Sequence, residues 1–247
     1  MPRLAPDFRR RLSLLGAAEG FAKRESNSQR LLLQSHAPDA VSQEVWVSPH
    51  DIFVAEEAPL SFGVSIWTYV VFPTLEATIT EALRLAGVDP QLTDKRTVRF
   101  SLSSIAREGD QQCVPALPLD PASSPDTQAQ YAWRFYWDRA AAHLRRLSSP
   151  QILSDLSYLP PFTSGVAWST RQLLHHAQSG RFELCESIER GIEKTAAVEL
   201  ASPIKALMAT AAERGHEFRP GAQSLDYRQH PLWLEFEAVR KYTARMA

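Results

Sequence analysis

The chain has 247 residues, is 44% hydrophobic and 22% charged, and carries a formal net charge of −1. That length allows one large domain or two small ones, with a core that needs no metal or disulfide staple. The balance holds in both halves, with 12 basic and 14 acidic groups in residues 1–110 and 15 and 14 in the rest, which argues against nucleic acid or an anionic membrane as the main partner.

Arginine outnumbers lysine 22 to 5 and Asn27 is the only asparagine, a bias expected of a GC-rich bacterial genome. No run approaches the ~20 apolar residues of a membrane span. Phe8–Leu15 superficially resembles a twin-arginine export signal, but its apolar run is short, and Glu19, Lys23 and Arg24 interrupt the chain after it. A cytoplasmic protein is expected. Cys113 and Cys185 have no zinc spacing and form no disulfide framework, so they read as free thiols.

In chain order, residues 4–18 read as a surface helix with Leu4, Phe8, Leu12 and Leu15 inward, ending near Gly16 or Gly20. Three strand-like runs come next, Arg30–Ser35, Gln43–Val47 and Asp51–Ala55, separated by Pro38-Asp39, Ser48-Pro49 and Pro59. Phe62–Phe72 is β-branched and aromatic on both faces, as in a central strand covered on both sides. Pro73 suits the first turn of a helix carrying Leu75, Ile79, Ala82, Leu83 and Ala86 as its apolar stripe and Glu76, Thr80, Glu81 and Arg84 as its wet face. Gly87 suits a left-handed cap, and Pro90 bars continuation. Thr97–Ser103 alternates as a further strand; were it a parallel neighbour of Phe62–Phe72, the crossover would be right-handed.

Four prolines in Val114–Asp126 mark an extended linker or a surface loop. Beyond it the pattern is helical. Ser124-Pro125, Ser149-Pro150, Ser202-Pro203 and His230-Pro231 each look like a helix start, with serine capping in three of them. The apolar stripes are Ala129, Trp133, Tyr136, Trp137, Ala140, Leu144 and Leu147; then Leu184, Ile188, Ile192 and Ala196; then Ile204, Leu207, Met208 and Ala211; then Trp233, Phe236, Val239, Tyr242 and Met246. Their spacing is irregular and excludes a short-period helical repeat. The expected architecture is α+β: a sheet-and-helix unit at 1–113, a connection at 114–125 and a helical unit at 126–247.

The sequence holds no phosphate-binding loop, dinucleotide fingerprint, nucleophile elbow or zinc-protease motif. Ser202-Pro203-Ile204-Lys205 has the Ser-x-x-Lys spacing of penicillin-recognising enzymes without their companion motifs, and helix capping accounts for the serine. His50, Asp51, Glu56 and Glu57 form the densest set of acid, base or ligand residues and would be the site if the chain were an enzyme. His175 and His176 are sequence neighbours about 100° apart on a helix, a poor pair for one metal ion. Tyr131, Trp133, Phe135, Tyr136 and Trp137 crowd one helix among Arg134 and Arg139. Five aromatics in seven residues cannot share one stripe, so a surplus belongs on a flank, as at a protein interface. The leading expectation is a non-catalytic protein-binding factor using Tyr131, Arg134, Phe135 and Arg139 toward a partner or a second copy, with no cofactor or metal. A nucleic-acid accessory factor using Arg134, Arg139, Arg145 and Arg146 is the third alternative.

Overall fold

The computed structural model describes residues 3–37, 41–52, 61–92, 97–101, 116–160, 163–213 and 226–247. It is an α+β protein with a six-stranded antiparallel sheet and, among the described residues, six α-helices. These fall into two compact units, one of residues 1–72, 98–150 and 160–162, the other of 73–97, 151–159 and 163–247.

The first unit holds the sheet, whose strands β1 (Ala22–Ser26), β2 (Leu31–Ala37), β3 (Val41–Ile52), β4 (Ser61–Val71) and β5 (Val98–Ser101) lie side by side in chain order. The two-residue β6 (Leu117–Pro118) pairs with Gly63 and Val64 of β4. Alternation places Leu31, Leu33, Val45, Val47, Val64, Ile66 and Val70 at zero or near-zero exposure on one face. Helices α1 (Pro6–Ala18) and α3 (Pro125–Arg146) lie against that face. Gly16 of α1 meets Leu33 and Trp133, and Gln43 of β3 donates to the Leu144 carbonyl of α3 at 2.8 Å. The other face carries half-buried Trp46 and Trp67 with buried Tyr69, and the guanidiniums of Arg30 and Arg99 stack on Trp46 and Trp67 at 4.6 and 4.4 Å.

The second unit is helical: α2 (Pro73–Leu85), α4 (Gly165–Gln178), α5 (Phe182–Glu213) and α6 (Pro231–Thr243). Its core is built from Leu75, Ile79 and Leu83, from Trp168, Leu173 and Leu174, from Ile192 and Ala196, and from Phe236 and Val239. Arg171 of α4 lies in this core at 2% exposure. It forks onto Glu76 of α2 at 2.8 and 3.0 Å and donates to Glu235 of α6 at 2.7 Å. Ser164 caps α4 by accepting from Ala167 N at 3.2 Å, and it donates to Glu199 of α5, which also accepts from Val166 N. Among the described residues no helix is long and apolar enough to cross a membrane.

Several expectations are corrected. β4 and β5 are antiparallel, so the strand-helix-strand passage is no parallel crossover. Pro49 does not end a strand: β3 runs through it, because β2 stops pairing at Val47 and leaves Pro49 no neighbour there that needs its missing N–H. Ser202-Pro203 starts no helix, since α5 continues across it to Glu213. Ser149-Pro150 opens only a 3₁₀ turn, Pro150–Ser154. Glu76, assigned to the wet face of α2, is buried, because its charge is answered by Arg171 and by a 2.7 Å hydrogen bond from Thr97. Leu184 is 37% exposed, and Cys185 beside it is the buried residue. The 114–125 stretch is described from residue 116, where Ala116, Leu117 and Leu119 are buried and Asp120–Ser123 forms a hydrogen-bonded turn.

Candidate functional site

Helix α3 begins where Ser124 accepts a hydrogen bond from Thr127 N and Pro125 takes the first turn. Ala129, Trp133, Tyr136, Ala140, Leu144 and Leu147 recur at helical spacing, and all are buried. Trp133 stacks on Trp137 at 5.6 Å between centroids, and Phe21 meets both rings edge-on at 6.2 and 6.0 Å. The Tyr136 hydroxyl shares a buried 2.6 Å hydrogen bond with Thr68. Burial pushes the Tyr136 phenol above its ordinary range, outweighing that hydrogen bond, so it stays neutral.

The remaining two aromatics take a different environment. Tyr131 is 49% exposed and Phe135 is half-buried, and their rings stand 6.2 Å apart, tilted by 47°. One helical turn on, the Arg139 guanidinium lies 3.7 Å over the Phe135 ring and Nη1 donates to the Phe135 carbonyl at 3.2 Å. Arg134 faces Asp138 at 3.7 Å, with both side chains largely in solvent. These five residues line a shallow groove of about 270 Å³. Tyr131 is also a wall of a second hollow of about 470 Å³, bounded by Pro118, Leu119, Asp120, Ser123, Thr127 and Gln128. In that hollow the Ser123 hydroxyl and Ala122 N donate to Asp120, holding its carboxyl below the ordinary range. Gln128 Nε2 donates to the Asp120 carbonyl at 2.7 Å, which ties the turn to α3.

Tyr131, Arg134, Phe135 and Arg139 thus converge on one flank of one helix. The other sequence candidates differ. His50 and Asp51 pair through their backbones with Gly63 and Phe62 at the far end of β3, while Glu56 and Glu57 lie outside the described residues, as do Cys113 and the side chains of Ser202–Ala211. Among the described residues no three His, Cys, Asp or Glu side chains converge as a metal site. His175 and His176 diverge: His175 Nε2 meets the Ser154 hydroxyl at 3.0 Å, whereas His176 is fully buried with both ring nitrogens unpartnered. Both imidazoles are held below their ordinary value, first by burial and then by the Arg181 charge. Cys185 is a buried free thiol whose value burial raises, which makes it a poor nucleophile.

The charged group that sequence reasoning missed is the Glu76–Arg171–Glu235 triad. A long cation amid the apolar positions of α4 was the available signal, but its two carboxylates lie 95 and 64 residues away in sequence. The fold and this flank define an α+β protein with an aromatic and basic helix edge. Comparison of the chain with protein-family models, with curated proteins and with solved structures finds no match.

Proposed function

We propose that this chain is a non-catalytic protein-binding factor of the bacterial cytoplasm, acting as a regulator, an inhibitor or a subunit of an assembly. It meets its partner through the flank of α3 that carries Tyr131, Arg134, Phe135 and Arg139. The observation that carries this reading is the division of the five aromatics. Trp133, Tyr136 and Trp137 are used within the fold, while Tyr131 and Phe135 line a groove open to solvent. Aromatic and arginine side chains are the types that supply most of the binding energy at protein interfaces.

Co-purification tests it, with Phe135→Ala compared to Leu14→Ala, a substitution at an exposed apolar position on α1 outside the groove lining. A defined protein, or a second copy of the chain, is expected with the wild type and with Leu14→Ala and is expected to be lost with Phe135→Ala. A partner retained equally by all three refutes the assignment of the surface. A chain that stays monomeric and captures nothing refutes the function.

A further inference from the structure

We propose, resting on that protein-binding function, that the α3 groove recognises a carboxylate flanked by apolar side chains, as in an acidic-apolar segment of a partner protein. The starting point is Arg139. Its guanidinium is a planar fork with five N–H donors. One is spent on the Phe135 carbonyl, and the Phe135 ring lies beneath the plane at 3.7 Å. Among the described residues no carboxylate pairs with Arg139, and Asp138 of the same groove faces Arg134. The fork is therefore oriented by its own helix and keeps donors free for a ligand. An arginine held in this way gives up less side-chain freedom on binding than a free one, and a carboxylate is the planar acceptor that matches it with two parallel hydrogen bonds.

The surroundings select among anions. Arg134 and Arg139 against Asp138 give the groove a formal charge of +1 (two less one), which suits one carboxylate. Asp120 lies in the adjoining hollow with its acidity strengthened by its hydrogen bonds, so a string of phosphates running across Tyr131 would meet an ionised carboxylate. The rest of both hollows is apolar or neutral, from the Tyr131 and Phe135 rings to Pro118 and Leu119. A segment lying across Tyr131 would place its carboxylate on the Arg139 fork and an apolar neighbour in the larger hollow. A nucleic acid would instead demand a continuous basic track.

The test uses the full chain and three labelled probes: a short peptide with a central Leu-Glu-Leu, the same peptide with Leu-Gln-Leu, and an oligothymidylate of similar length. Saturable binding of the glutamate peptide is expected, about tenfold or more tighter than the glutamine peptide. Arg139→Lys, which keeps the charge but loses the fork, should remove most of that difference with the melting temperature unchanged. Equal binding of both peptides, no saturable binding of the glutamate peptide, full retention by Arg139→Lys, or tighter binding of the oligothymidylate would each overturn the proposal. Loss of this discrimination while Phe135→Ala still abolishes co-purification would sink the carboxylate assignment alone. Indifference of co-purification to Phe135→Ala would sink the underlying function.

Discussion

Replacing Arg171 with methionine should be among the most damaging single changes in the helical unit. The side chain is 2% exposed and makes four hydrogen bonds: two to Glu76, one to Glu235 and one to the Ala167 carbonyl at 3.0 Å. Methionine keeps much of the apolar stem but strands two carboxylates whose own side chains are 7% and 1% exposed. Breaking a buried pair by removing one partner costs about 3–5 kcal/mol, because the other charge is left desolvated. Summing four charged hydrogen bonds at about 1.5–3 kcal/mol each would exceed that, which marks the sum as double counting of groups that relax together. A loss of about 4 kcal/mol is expected, roughly a thousandfold in the folded-to-unfolded ratio. Urea titration, read by hydrogen exchange on α2, α4 and α6 so that the helical unit is followed by itself, measures it. Arg171→Lys should recover only part, since an ammonium cannot fork onto Glu76 while reaching Glu235. The triple change Glu76→Leu, Arg171→Met, Glu235→Leu should lie near the wild type, because nothing charged is then left buried. A loss below about 1 kcal/mol for Arg171→Met would refute the view that its charge is what makes these two carboxylates tolerable in the core.

The two faces of α3 predict opposite results from similar truncations. Trp133→Ala should cost about 3–5 kcal/mol in a thermal or urea melt, and Phe135→Ala about 1 kcal/mol or less. Equal damage would make the whole helix core and remove the basis of the interface. Tyr136→Phe and Thr68→Val each orphan a buried hydroxyl and should cost about 1–3 kcal/mol, whereas the double variant should cost less than their sum; strict additivity would deny the 2.6 Å bond. Acidification should weaken the helical unit. His175, His176 and His230 are held below their ordinary value of 6.5, each first by burial, so the folded chain refuses protons that the unfolded chain accepts. Stability is then steady above that value and falls as pH drops through 6.5 and below. His176→Phe should flatten this fall relative to wild type in melts between pH 8 and pH 5, and an unchanged slope would exclude His176 as a contributor.

How much of the fold is legible in the sequence depends on how local the physics is. The stripe of α3, the Pro73 start of α2 and the left-handed Gly87 are set by neighbours within a turn, and the structure has them, with φ of 72° at the glycine. β1 is not legible, because Ala22–Ser26 is a polar edge strand without alternation. Pro49 and Pro203 read as breakers because proline's local preference is strong. At Pro49 the outcome is decided by where the neighbouring strand ends, and nothing near it in sequence encodes that. Glu76 looks wet on its helical wheel because its cation is supplied from another helix. The candidate site is legible as a surplus, since crowding on one helix is countable. Which aromatics go inward follows the stripe, and the four-residue spacing puts Arg139 next to Phe135 on the helix, but that its guanidinium lies over the ring emerges only in three dimensions.

The contact between Gln43 and the Leu144 carbonyl has a consequence for how the α3 flank behaves in different media. That carbonyl belongs to the last turn of the helix, where intrahelical partners run out, and a side-chain amide from the sheet supplies the missing donor. An amide has no charge to lose. Tyr136 and Thr68, a second polar tie between helix and sheet, also stay neutral. Neither of these two ties can be titrated near neutrality or screened by salt. Both ties therefore hold α3 on the sheet in the same way from mildly acidic to mildly alkaline conditions. Ionic strength then reaches α3 through its exposed charged pairs, Arg134 with Asp138 at 3.7 Å and Arg11 of α1 with Asp126 at 3.5 Å, and not through these two ties.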